Sequence, residues 1–152
     1  MKNQDYHSSI TVDVPQSEAF DKISRVPEWW GTDFQGQSRS VGDVFTVRFR
    51  SGDVYTIKIV EVVPDAKIVW QVIDSIRPSL KDKTEWTGTQ IVWELSSQGT
   101  ATQIAMTHVG LVPDIECYGV CSQGWDFLVH KSLLNLITEN KGNPAGPPAD
   151  NQ

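Results

Sequence analysis

Residues 124–137, GWDFLVHKSLLNLI, decide how the rest of the chain is read. Trp125, Leu128, Val129, Ser132, Leu133 and Leu136 recur at helical spacing and share one face. A helix with one apolar stripe must bury that stripe against another element. Nearly everything upstream reads as strand, so the partner has to be a sheet. The serine in the apolar stripe, Ser132, needs its own explanation.

Working outward, Ile10–Val14 alternates apolar and polar residues and is stopped by Pro15, which marks a first strand. Ser17 is expected to cap a short helix over SEAFDKIS, whose apolar residues are Ala19, Phe20 and Ile23. Pro27 opens a second short turn, PEWWGTDF. DVFTVRFR and DVYTIKIVEVV are strands joined at Ser51-Gly52-Asp53, a hairpin signal. Pro64–Lys67 turns the chain into IVWQVIDS. The charged stretch RPSLKDKTEWTG has no sustained alternation and is expected to be an exposed, mobile connection. TQIVWELSS and TQIAMTHVG complete the strands, with Gln98-Gly99 at their turn. Pro113-Asp114 announces the helical region. The tail from residue 142 to 152 is polar and Pro-rich, and is expected to be disordered.

Hairpin spacing implies an antiparallel sheet. About 25 helical residues would span nearly 40 Å, longer than one strand, so a twisted sheet curling around the helix is the consistent packing. The expected fold is α+β: six antiparallel strands clasping a C-terminal helix, with two short helices after the first strand.

The chain has 152 residues, enough for a core without staples. Its net charge of −6 disfavours a nucleic-acid backbone, and no apolar run is long enough to span a membrane. Cys117 and Cys121, spaced C-x3-C, match neither a zinc ribbon nor a thioredoxin motif and are expected to be reduced thiols. With reduced thiols and an N-terminus, MKNQDYHSSI, that has no apolar run of the signal-peptide kind, a cytoplasmic protein is expected.

VPEWWG, VGDVFTVRF, IVEVVPDAKIVWQV, GTQIVWEL and GWDFLVHKSLLNLI, in that order across residues 8–141, resemble the activator-of-Hsp90-ATPase-like branch of the Bet v 1/START-related superfamily. The resemblance implies one helix-grip domain over 8–141 with a cavity between sheet and helix. It leaves the activity open, because such folds include lipid carriers, hormone receptors and polyketide cyclases.

Alternation sets the inward rows: Phe45, Val47 and Phe49; Tyr55, Ile57 and Ile59; Ile68, Trp70 and Val72; Ile91, Trp93 and Leu95; Ile104, Met106 and His108. His108 ends an apolar row near one mouth of the cavity. It is either a hydrogen-bonded core histidine or a ligand anchor and proton donor. Glu61 and Asp74 fall in inward register, and a strand end or bulge that solvates them is the expected resolution. Tyr118, Cys121, Trp125, Ser132 and Leu136 form one helix stripe. Ser132 there either lines a cavity or bonds back to the preceding turn. Trp29 and Trp30 are adjacent: either one closes the cavity while the other meets the surface or a partner, or, the reading slightly favoured, both pack against the C-terminal helix and a neighbouring loop. Two cysteines on one helical face fall short of four zinc ligands, so no metal and no cofactor are expected.

The expected ligand site is Trp30, Phe49, Trp70, Trp93, His108, Tyr118, Cys121, Trp125 and Ser132, and the expected ligand a small apolar or aromatic molecule with one polar end. No catalytic residue is assigned. Two other readings stand beside this one. The first is regulation of a chaperone ATPase; the chain enters its first strand directly, so the family's N-terminal chaperone-contacting domain is expected to be absent. The second is a polyketide cyclase or dehydratase using His108 and Tyr118 as acid and base. Monomer or weak homodimer is the expected state.

Overall fold

A computed structural model describes residues 5–49 and 51–144. Its strands are β1 Tyr6–Val12, β2 Phe34–Gly36, β3 Val44–Arg48, β4 Val54–Val63, β5 Lys67–Ile76, β6 Gln90–Gln98 and β7 Ala101–Val109. They form one antiparallel sheet in the order β1-β7-β6-β5-β4-β3-β2. Every neighbour follows in sequence except β1, which closes onto β7. The sheet therefore has seven strands rather than the expected six. The addition is β2, three residues long and too short to show alternation, placed by its pairing of Gln35 with Thr46.

Helices α1 (Gln16–Ile23) and α2 (Val26–Trp29) follow β1. Ser17 lies inside α1 rather than capping it; Pro15 is the N-cap, and no side chain caps that end. The C-terminal helix runs as α3 (Tyr118–Phe127), a π-helical segment (Leu128–Leu133) and α4 (Leu134–Glu139), ten, six and six residues. It ends at Asn140 in the left-handed conformation. Cys121, Trp125, Val129, Ser132, Leu133, Leu136 and Ile137 are buried against the concave face of the sheet, and Phe127 is exposed. The expected tail lies outside the described residues from 145 onward.

The inward rows are buried as alternation requires, except for half-buried Phe49 at the hairpin end, and two bulges shift the register of β4 against β5. One lies between Ile59 and Glu61, and Glu61 is exposed there and pairs with Lys67 at 3.5 Å. The other inserts Ile73 into β5: Thr56 pairs with Asp74 while Ile57 pairs with Val72. Past the bulge the inward phase moves by one residue. Asp74 turns out to solvent, Ser75 is buried, and Arg77 follows on the inner side.

Two expectations are corrected here, and the favoured alternative for Trp29 and Trp30 is found. Segment 77–88 is anchored rather than loose: Leu80 and Trp86 are in the core, and the Glu85 carboxylate accepts from the Glu116 and Cys117 backbone N–H groups at the start of the terminal helix. Both Trp29 and Trp30 are buried, because the chain leaves α2 at Trp30 and the two rings are not held on one helical turn. Their rings lie nearly parallel, 6.2 Å apart. Cys117 and Cys121 are joined by a disulfide, so the cytoplasmic expectation loses the support it took from reduced thiols. No helix among the described residues is long and apolar enough to cross a membrane.

Candidate functional site

All six tryptophans enter the space between sheet and helix. Trp30 lies parallel to Trp70 at 6.1 Å, Trp29 meets Trp93 edge-on at 5.6 Å, and Trp125 packs on Trp30 at 5.4 Å. Such rings fill most of the clasp. A cavity of about 300 Å³ remains at one end, partly open to solvent.

Its walls come from four places. Phe49, Ser51, Asp53 and Tyr55 belong to the β3–β4 hairpin, and Arg77 and Trp86 to the connection after β5. Val120, Cys121, Gly124, Trp125 and Leu128 line it from the terminal helix, and Trp30 closes its floor. Tyr55 stacks on Trp86 at 4.5 Å, so the anchored connection and the hairpin form one aromatic wall. The Trp86 indole N–H donates to Cys117 Sγ at 3.3 Å, which ties that wall to the helix.

The apolar walls end in one polar corner. Arg77 Nη1 donates to Asp53 Oδ2 at 2.9 Å and to the Tyr55 hydroxyl at 2.7 Å. The ion pair is about 15% exposed on either side. Arg77 Nε is enclosed without a hydrogen-bond partner among the described residues, an arrangement that costs free energy. Burial pushes the Tyr55 phenol up to about 12, against the opposing pull of the Arg77 charge, so it stays protonated at neutral pH.

Of the residues expected at the site, Trp30, Phe49, Cys121 and Trp125 are on the cavity wall. Trp70 and Trp93 are fully buried behind it and fill the clasp rather than line a cavity. Tyr118 is half-buried, beside the core but off the wall. Ser132 is completely buried and neither lines the cavity nor bonds back along its helix. Its hydroxyl donates to the Trp29 carbonyl at 2.6 Å and accepts from the Asn143 N–H at 2.8 Å. The serine in the apolar stripe thus fastens α2 and the C-terminal segment to the helix.

His108 is also off the wall. Its Nδ1 accepts from the Trp125 indole at 3.0 Å, which leaves the proton on Nε2 to be donated to Thr89 Oγ1 at 2.8 Å. Thr89 in turn donates to the Trp86 carbonyl at 2.7 Å. Burial lowers the histidine to about 3, so the ring is neutral and both nitrogens are committed. The core-histidine alternative fits this geometry, and an acid–base pair with Tyr118 does not.

Sequence reading missed the Arg77–Asp53–Tyr55 corner. Tyr55 stood in an inward row but was not assigned to the site. Asp53 looked like a turn residue, and Arg77 became an inward residue only through the bulge at Ile73. Trp86, the one large aromatic in a charged stretch, was the available signal.

An antiparallel sheet wrapped around a terminal helix, with an aromatic cavity at one end of the clasp, defines a helix-grip protein. Residues 18–136 match the model of the family described as activator of Hsp90 ATPase homolog 1-like protein, and this chain belongs to that family. Among curated proteins, no sequence matches it. Among solved structures it resembles the Aha1 dimer from Colwellia psychrerythraea, at 21% identity and a TM-score of 0.74 over 93% of this chain and 100% of that one. It also resembles DynU16, a putative protein in the dynemicin biosynthetic locus, at 20% identity and a TM-score of 0.66; the match covers 90% of this chain and 48% of DynU16. CalU16 from Micromonospora echinospora is similar at 15% identity and a TM-score of 0.61, covering 86% and 73%. At such identities the likeness shows the fold.

Proposed function

We propose that this chain, as a single helix-grip domain over residues 8–141, binds a small apolar or aromatic molecule in the cavity between the β3–β4 hairpin and the terminal helix. The observation that carries this reading is a space of about 300 Å³ left open among aromatic walls with one polar corner. That volume is at the lower end of the range of roughly 300–1,000 Å³ usual for ligand pockets. It suits one or two fused rings better than a long acyl chain. The ligand-contacting set is Trp30, Phe49, Tyr55, Trp86, Cys121 and Trp125.

Gly124 provides the test. It lines the cavity, and a Cβ built on it meets nothing within 4 Å. Gly124→Phe should therefore fill the opening without disturbing the core, and a helical glycine replaced by a better helix former does not weaken the helix. Small aromatic compounds screened by thermal shift should raise the melting temperature of the parent by several degrees at a hundredfold excess over Kd, about 2.7 kcal/mol of linkage. Gly124→Phe should abolish the shift with its own melting temperature intact. Hits that bind the variant as well as the parent would place the site elsewhere.

Family membership favours a second reading, regulation of a chaperone ATPase. Phe127 is exposed on the terminal helix and off the cavity wall, an apolar group that a partner would cover. Stimulation of purified Hsp90 ATPase by this chain, reduced by Phe127→Ser, would support it; an unchanged ATPase rate would set it aside.

A further inference from the structure

The polar corner narrows the class of ligand, an inference that rests on the cavity reading above. Among the described residues, Nη1 of Arg77 carries both of the guanidinium's hydrogen bonds, to Asp53 and to Tyr55. Nη2 and Nε have no partner among the described residues, and Nε is enclosed. Asp53 therefore fixes the plane of the guanidinium while leaving its other side unused. The Tyr55 hydroxyl accepts from Arg77, and its own proton is directed toward the Asp53 carboxylate. Unused donors outnumber unused acceptors in this corner. A buried guanidinium with empty N–H groups is best satisfied by a planar anionic acceptor, and such charge-assisted bonds are about twice as strong as neutral ones.

We propose that the cavity receives a small aromatic monocarboxylate, its ring among Trp30, Trp86 and Trp125 and its carboxylate on Nη2 of Arg77, the unpaired nitrogen that is not enclosed. Asp53 has two effects. It orients the arginine, and its charge opposes the incoming anion, which keeps the affinity for carboxylates moderate. A neutral acceptor would gain from the same donors but would not sense the Asp53 charge. Removing that charge therefore separates the two classes of ligand.

Calorimetric titration with naphthoate and with naphthylmethanol, the same rings without the charge, tests this. Naphthoate should bind the parent protein about tenfold or more tighter than the alcohol, the usual worth of a charged hydrogen bond. Arg77→Gln should bring naphthoate down to about the affinity of the alcohol while weakening the alcohol far less. Asp53→Asn keeps an acceptor for Nη1 and should tighten naphthoate by roughly threefold to tenfold through loss of one nearby charge, with no gain for the alcohol. This second variant decides the matter even if Arg77→Gln does not fold. Equal affinity for the two probes, with both lost in Gly124→Phe, would overturn the carboxylate assignment and keep the cavity. Tighter binding of the alcohol than of the acid, or an Asp53→Asn protein that gains nothing for naphthoate, would also overturn it. If neither probe binds the parent at millimolar concentration, the cavity reading falls with it.

Discussion

His108 shows what one buried titratable group does to the chain around it. Folding lowers its pKa from the ordinary value near 6.5 to about 3, so as pH falls the unfolded chain takes up the proton first. Stability from this group is fully present above about 6.5 and is lost as pH falls from there toward 3, at up to about 1.4 kcal/mol per unit. Urea melts should show a loss of about 2 kcal/mol between pH 7 and pH 5 from this residue alone. His108→Gln should flatten that part of the slope; parallel slopes in the two proteins would show that the acid sensitivity lies elsewhere. Its partner Trp125 is 1% exposed and is gripped by Trp30, Trp86 and Trp93. Trp125→Ala should cost about 3–5 kcal/mol, since packed rings on three sides cannot collapse into the space and His108 Nδ1 loses its donor. A loss under about 1 kcal/mol would contradict the clasped position of this side chain.

At the scale of elements, the terminal helix and the β4–β5 pair each depart from ideal repetition, and each departure places something. The π-helical turn over Leu128–Leu133 keeps Val129, Ser132 and Leu133 all buried. It brings the Ser132 hydroxyl to the Trp29 carbonyl and the Asn143 N–H. Close approach there is tight: a Cβ on Gly142 would lie 2.4 Å from the Glu28 carbonyl oxygen. Ser132→Ala should cost about 1–3 kcal/mol, because it leaves a donor and an acceptor unmatched in a dry contact. Denaturation midpoints measure this directly, and a change of a few tenths would mean that segment 140–143 is not held through Ser132. The bulge at Ile73 does for the sheet what the wide turn does for the helix. Without it, Arg77 would continue the outward phase of Asp74's neighbours and the cavity would have no polar corner. Period-2 reading carried Trp70 and Val72 correctly to the core and then placed Asp74 inward. The expectation that a bulge or strand end would solvate Asp74 was sound, but its consequence for Arg77 could not be drawn from alternation, because an inserted residue leaves no mark in a period of two.

For the whole molecule, the balance is between filling the clasp and leaving it open. Six tryptophans are much aromatic volume for one core, and sequence reading assigned Trp30, Trp70, Trp93 and Trp125 alike to a cavity wall. Trp29 entering beside Trp30 changes the outcome. Together they occupy the middle of the grip, leave Trp70 and Trp93 inside solid packing, and restrict open space to the hairpin end. The same crowding explains why the connection over 77–88 is anchored: Trp86 completes the wall against Tyr55, and Glu85 meets the start of the helix.

The amino-acid sequence by itself determined the elements that repeat. Strand alternation, the helical stripe of 124–137 and the order of the motifs fix an antiparallel sheet about a terminal helix, since each rests on spacing along one chain. Tertiary structure alone decided which buried groups face empty space. Two tryptophans side by side, a bulge that turns Arg77 inward, and a serine that fastens three segments are settled by packing between residues far apart in sequence. The fold follows from where apolar side chains recur. The site follows from where their combined volume stops short of filling the grip.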